Sequence, residues 1–180
     1  MNILKRIGAV ISAIALFATV ISGSQAATSD NAVVTITTQP GAGLTASITG
    51  TSFGSIAYSF TDSAPLSGTL TVTALDTRGT AAGWNIVLSA TNFTGSTGSI
   101  PVNRFSLSAG TVTTIAGPSS GQTTSALTPV STTAAKVWSA AIGSGDGSYS
   151  LNVPASLVVP GGTLVGTYTS VVTVAITSGP

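Results

Sequence analysis

The sequence contains no cysteine, no histidine and no glutamate, and charged side chains make up only 5% of its 180 residues, against roughly a quarter in ordinary soluble proteins. Each absence excludes a class of chemistry. Without cysteine there is no disulfide framework, so stability must come from a packed core. Without histidine or cysteine there is no Ser–His or Cys–His nucleophile pair and no zinc site of the usual ligand composition. The only acids are Asp30, Asp62, Asp76 and Asp146, each in a different turn-like segment. A two-carboxylate glycosidase would have to draw its pair from these four, none of them in an apolar setting of the kind that raises a carboxylate pKa. Spatial pairing stays open in the sequence, but scattered aspartates are more often solvated turn residues. The run Gly143-Ser-Gly-Asp146-Gly147 has the look of a calcium loop, but one carboxylate is too few for a hard cation, and Asp-Gly reads more simply as a hairpin turn. No catalytic residue, metal ligand set or cofactor motif is expected.

What is present begins with an address. Lys5 and Arg6 precede an apolar run from Ile7 to Ile21, followed by the small-x-small site Ser24-Gln25-Ala26. This is the pattern of a secretory signal peptide over 1–26, leaving one exported domain over 27–180. The run is short and lacks a stop-transfer flank, so no stable membrane insertion is expected after cleavage. Removing it leaves Arg78, Arg104 and Lys136 against four aspartates, a side-chain balance of −1 instead of the +1 of the whole chain. So few charges cannot steer nucleic acid or anionic lipid.

From Thr28 onward threonine and valine dominate, residues suited to a pleated surface. Leu70, Val72 and Ala74 alternate with threonines; Trp84, Ile86, Leu88 and Ala90 repeat the period, as do Tyr168, Ser170, Val172, Val174 and Ile176. Further strands are expected near 32–38, 44–51, 55–60, 99–107, 111–116, 134–142, 148–153 and 156–159. Turn signals separate them, and 116–133 reads as a long loop. Many short strands at this spacing predict an all-β fold, a single antiparallel β-sandwich.

With chemistry excluded, recognition falls to aromatic and polar surface. Trp84, Trp138, Tyr58, Tyr149, Tyr168 and Phe93 are the candidates. Trp84 is in phase with Ile86 and Leu88, which favours a core anchor over a ligand contact; the face of Trp138 is open. Asn92-Phe-Thr94 fits a glycosylation acceptor. Asp76 to Gly83 reads as a loop joining two alternating strands. In it Arg78 either fixes the loop against Asp76 or a carbonyl, or presents a planar cation to a ligand carboxylate. Gly79 and Gly83 permit backbone angles that a side chain forbids.

Several of these segments resemble the WxL domains of bacterial cell-wall-binding surface proteins, in order and over most of the exported length. Ser52-Phe-Gly-Ser55 is similar to the early Phe-Gly of that family. Val72-Thr-Ala-Leu-Asp76-Thr-Arg78-Gly79 leading to Gly83-Trp84-Asn-Ile86 resembles its V-x-D-x-R-G segment and first Trp-x-Leu. Gly145-Asp-Gly147-Ser-Tyr149 echoes a Gly-x-Gly turn before an aromatic, and Gly166-Thr-Tyr168-Thr169 resembles the approach to the last strand. There the second Trp-x-Leu is replaced by Val174-Ala-Ile176, without its tryptophan.

The resemblance implies an immunoglobulin-like sandwich. It also implies a protein secreted to the bacterial cell surface, with peptidoglycan or another surface glycan as ligand and other surface proteins as partners. Asp76, Arg78, Gly79, Trp84, Ile86, Val174 and Ile176 are its motif residues. No sorting motif precedes Pro180, so attachment is expected to be non-covalent. A different class remains open: a structural subunit of a surface layer or filament, joined edge to edge through an apolar terminal strand from Val171 to Ile176. Adhesion to host glycans is a third reading, and the signal peptide fits either type of envelope.

Overall fold

The computed structural model describes residues 28–36 as backbone, and 43–118 and 120–180 in full. The signal-peptide reading of 1–26 lies outside the described residues, as do the Asp30 side chain and the end of the strand expected at 32–38. Thirteen strands follow one another: β1 (Thr28–Ile36), β2 (Leu44–Thr49), β3 (Ser52–Ile56), β4 (Leu66–Asp76), β5 (Trp84–Ala90), β6 (Phe93–Gly95), β7 (Gly98–Ile100), β8 (Phe105–Leu107), β9 (Thr111–Ala116), β10 (Gln122–Thr124), β11 (Ala135–Ala140), β12 (Gly147–Leu157) and β13 (Thr167–Ser178). Among the described residues the one helical element is a 3₁₀ turn at Val102–Arg104.

The strands form two sheets. The first runs β10-β11-β5-β13-β1-β3, with β6 and β7 added beyond β13; the second runs β2-β4-β12-β8, with β9 also on β12. All pairs are antiparallel except β1 with β13. The fold is therefore the expected all-β sandwich, built by alternation: along β4 Leu70, Val72 and Ala74 are buried, along β5 Trp84, Ile86, Leu88 and Ala90, along β13 Tyr168 to Ile176 at every second residue. Burying each such side chain contributes roughly 1.5–3 kcal/mol. Two aromatic clusters sit towards opposite ends of β5. Trp84, Trp138 and Tyr149 pack at its start, and Phe53, Phe93 and Phe105 pack edge to face beyond its end.

Several expectations are corrected. The strand expected over 55–60 is Ser52–Ile56, because the chain leaves the sheet after Ile56 to meet a loop from the other sheet. Pro101 breaks the strand expected over 99–107 into β7, the 3₁₀ turn and β8. The two strands expected at 148–153 and 156–159 are one, β12, running through Pro154. Proline is tolerated there because β9 pairs with 148–152 and β8 with 155–157. The Pro154 carbonyl points to that side and accepts Ser108 N–H, so its missing N–H faces the gap between them.

The segment 116–133 supplies the edge strand β10. The connection 143–147 is not a hairpin turn, since β11 and β12 lie in different sheets. Nor is the terminal strand an edge: β13 is flanked by β5 and β1, which removes the strand on which edge-to-edge assembly was argued. A β-bulge between Lys136 and Trp138 turns both Val137 and Trp138 inward, which settles the face of Trp138.

The facing makes opposite demands on neighbouring residues of β12. Leu151, wholly buried in the middle strand, is expected to cost about 2–5 kcal/mol when changed to alanine. Asn152→Ala on the exposed face is expected to stay within about 0.5 kcal/mol, both measured by urea unfolding.

Candidate functional site

The motif residues converge at one end of the sandwich. β4 and β5 lie in opposite sheets, so the loop between them, 77–83, crosses from one to the other. The turn is enforced by backbone geometry. Gly83 has φ +71°, and a Cβ there would lie 2.4 Å from the Ala140 carbonyl oxygen. Gly79 also takes a left-handed conformation, φ +63°.

Arg78 holds this loop closed. Its Nε donates to Asp76 Oδ1 at 2.8 Å and its Nη2 to Asp76 Oδ2 at 2.7 Å, the bidentate geometry that guanidinium and carboxylate favour. Nη2 also donates to the Gly83 carbonyl at 3.0 Å, and Nη1 donates to the Ser178 hydroxyl on the last strand. The Arg78 side chain is 14% exposed and the Asp76 side chain 0%. Of the two readings of Arg78, the geometry is that of a loop clamp, with its planar face committed inside the fold.

Burial pushes the Asp76 carboxyl up, but hydrogen bonds from the Arg78 side chain and backbone N–H, with its positive charge, outweigh this and hold it below the usual carboxylate range. Hydrogen bonding to Asp76 correspondingly raises Arg78 against its own burial.

The second loop of this end, 141–147, docks on the first. Trp84 Nε1–H donates to the Gly145 carbonyl at 3.0 Å, the Asp146 carboxylate accepts Ala81 N–H at 3.0 Å, and the Tyr149 hydroxyl donates to the Asp146 carbonyl at 3.0 Å. Burial is the main cause that raises the Tyr149 phenol. Trp84 meets Trp138 edge to face, centroids 4.9 Å apart. Val174 and Ile176 sit in the same layer, opposite Leu88 and Ile86 on β5.

Trp84, Ile86, Val174 and Ile176 are thus all at 0% exposure. They fill the core, the reading that the phase of Trp84 with Ile86 and Leu88 favoured, because their strands turn that parity between the sheets. Tyr149, Tyr168 and Phe93 are buried likewise. The Asn92 side-chain oxygen accepts Val102 N–H at 2.9 Å, a local structural use. The aspartates with described side chains are each engaged separately: Asp62 with Arg104 and Gly161 N–H, Asp76 with Arg78, Asp146 with Ala81 N–H.

Exposed aromatic surface lies at the other end. Tyr58 is 47% exposed and Phe60 85%, their rings at right angles with centroids 5.2 Å apart. Tyr58 borders an open recess of about 250 Å³ between the segments 56–64 and 159–165. Sequence reasoning named Tyr58 but missed Phe60 and the recess. The only signal was an alternation, Ile56-x-Tyr58-x-Phe60, running straight into the polar stretch before Pro65. No family model matches the chain, and no curated protein matches it.

Two measurements follow from the motif cluster. Trp138 Nε1 has no hydrogen-bond partner among the described residues, whereas Trp84 Nε1 satisfies Gly145. Trp84→Phe is therefore expected to lower stability by about 1 kcal/mol more than Trp138→Phe, read from paired urea curves. A carboxyl lowered on folding stabilises the fold above its unfolded pKa of about 3.9 and loses that contribution as pH falls through the folded value. Asp76→Asn is expected to cost about 3 kcal/mol at neutral pH and to flatten the acid limb of the stability–pH curve below about pH 4.

Proposed function

We propose that this chain is an exported bacterial surface protein that attaches non-covalently to the cell wall, with peptidoglycan as ligand, and takes part in the assembly or adhesion of surface proteins. It acts by binding, without catalysis. The observation that carries the reading is the interlocking of the WxL-like segments. Asp76, Arg78 and Gly79 lie just before Gly83 and Trp84, while Gly145 to Tyr149 lie about sixty residues further on. Direct hydrogen bonds and ring contacts tie them into one unit. Segments that resemble a family one by one also form a single mechanical assembly, as a shared fold requires.

The departure at Val174-Ala-Ile176 fits the same reading. Both side chains fill the core beside β5, so the missing tryptophan is a change of core volume and removes no exposed ligand surface. The low charge of the exported domain also suits adhesion to a polymer surface through hydroxyls and aromatics, with no electrostatic steering. A single site of this kind would be held on a wall by several copies or partner modules acting together.

The test is co-sedimentation of residues 27–180, which hold every described strand, with washed peptidoglycan sacculi. The domain is expected in the pellet, and Trp84→Phe is expected to pellet equally well wherever it remains folded. A domain left in the supernatant would overturn the reading.

A further inference from the structure

The recess beside Tyr58 and Phe60 is a built feature, and its construction points to a ligand. The segments 57–65 and 158–163 come from different sheets and are tied by four hydrogen bonds. Ser63 N–H donates to the Val159 carbonyl at 2.9 Å, Val159 N–H to the Ser63 hydroxyl at 2.9 Å, Gly162 N–H to the Ser59 carbonyl at 2.8 Å, and Gly161 N–H to Asp62 Oδ1 at 3.0 Å. Arg104 anchors the other oxygen of Asp62 at 2.8 Å. The approach is close enough that a Cβ on Gly161 would lie 2.3 Å from the Phe60 carbonyl oxygen. The backbone beneath both rings is therefore fixed, and a ligand would not have to order it.

On this base two aromatic rings stand at right angles in solvent, Phe60 almost wholly exposed. An exposed aromatic pair of this kind loses apolar burial unless a partner covers it. The recess beside it is bordered by Ile56, Val159 and Val165 together with Ser59, Thr61 and Thr163, and by no charged residue. The Ser59 and Thr61 hydroxyls bond each other at 3.0 Å and Thr163 donates to the Pro160 carbonyl at 2.6 Å, which leaves each hydroxyl oxygen a lone pair for a ligand hydroxyl. The Tyr58 hydroxyl makes no hydrogen bond to a described residue. An apolar floor with a few converging polar groups is the usual anatomy of a small-ligand site.

A neutral pyranose has the complementary surface: an apolar C–H face for a ring to cover and a rim of hydroxyls for Ser, Thr and Tyr to meet. A phosphate or carboxylate ligand would find no cation in the lining. We propose that the recess at Tyr58, with the exposed Phe60 ring beside it, binds a neutral sugar unit of a surface polysaccharide. The inference deepens the wall-binding reading and takes its choice of probe from it. It places the contact at the end of the sandwich opposite to the Asp76–Arg78–Trp84 unit.

The test is an NMR titration of isotope-labelled 27–180 with the β-1,4-linked hexamer of N-acetylglucosamine. Saturable shifts are expected at residues 57–64 and 158–165. Tyr58→Ala and Phe60→Ala are each expected to weaken binding at least about tenfold with an unchanged melting curve, both side chains being exposed. Absence of shifts up to the solubility of the hexamer, shifts confined to other residues, or undiminished binding in the double variant would each overturn the proposal. Concentration-dependent shifts of the same residues without sugar would also overturn it and assign the surface to a second copy of the chain. Pelleting with sacculi that survives in the double variant would leave wall binding standing and this site refuted. Hexamer binding without pelleting would do the reverse.

Discussion

The ring of Trp84 is where the two sheets and two of the inter-sheet loops meet. It begins β5, packs edge to face on Trp138 of the neighbouring strand, leans on Tyr149 of the opposite sheet, and gives its one N–H to the carbonyl of Gly145. A domain with no disulfide has to hold its crossing loops by other means, and a large buried ring with one directional donor does so from inside the core. The Asp76–Arg78 pair completes the arrangement from the rim, tying the end of β4 to Gly83 and to Ser178 of the last strand. Removing either would leave buried polar groups unmatched, which makes the unit cooperative.

Elsewhere the chain manages its polar surface with hydroxyls in place of charges. On the outer face of the second sheet Ser47 meets Thr73 and Thr71 donates to Asn152 at 3.1 Å, cross-strand contacts that support the pairing between β2, β4 and β12. This leaves a neutral exterior on which a cluster of exposed aromatic residues stands out. The division of labour follows: one end of the sandwich is locked by the tryptophan unit, and the other carries the exposed rings on a clamped pair of loops.

Strand faces were legible wherever strict alternation ran for several residues, as in β4, β5 and β13, because burial between two sheets imposes a period of two. The core placement of Trp84 followed from the same phase. The rest depended on long-range pairing. The inward face of Trp138 results from a bulge, which shifts the parity in mid-strand. The continuity of β12 through Pro154 depends on a gap between its partner strands, and the sheet membership of β11 and β12 decides that 143–147 is a crossing and not a hairpin. Of the motif residues, loop-fixing by Arg78 was one of two readings open in the sequence, and the pairing with Asp76 and Gly83 decides it; Trp84, Ile86, Val174 and Ile176 fill the core. Phe60 escaped because its exposure comes from a clamp between segments about a hundred residues apart, Asp62 to Gly161, which local pattern does not encode.

The central claim is that tryptophan serves the fold and leaves recognition to other side chains. Both tryptophans are buried, so intrinsic fluorescence reports on it without interference. Acrylamide quenching of folded 27–180, with and without sacculi, is the most direct measurement. The account predicts blue-shifted emission and weak quenching that sacculi leave unchanged. Red-shifted, readily quenched emission that sacculi protect would place a tryptophan at the ligand and contradict it.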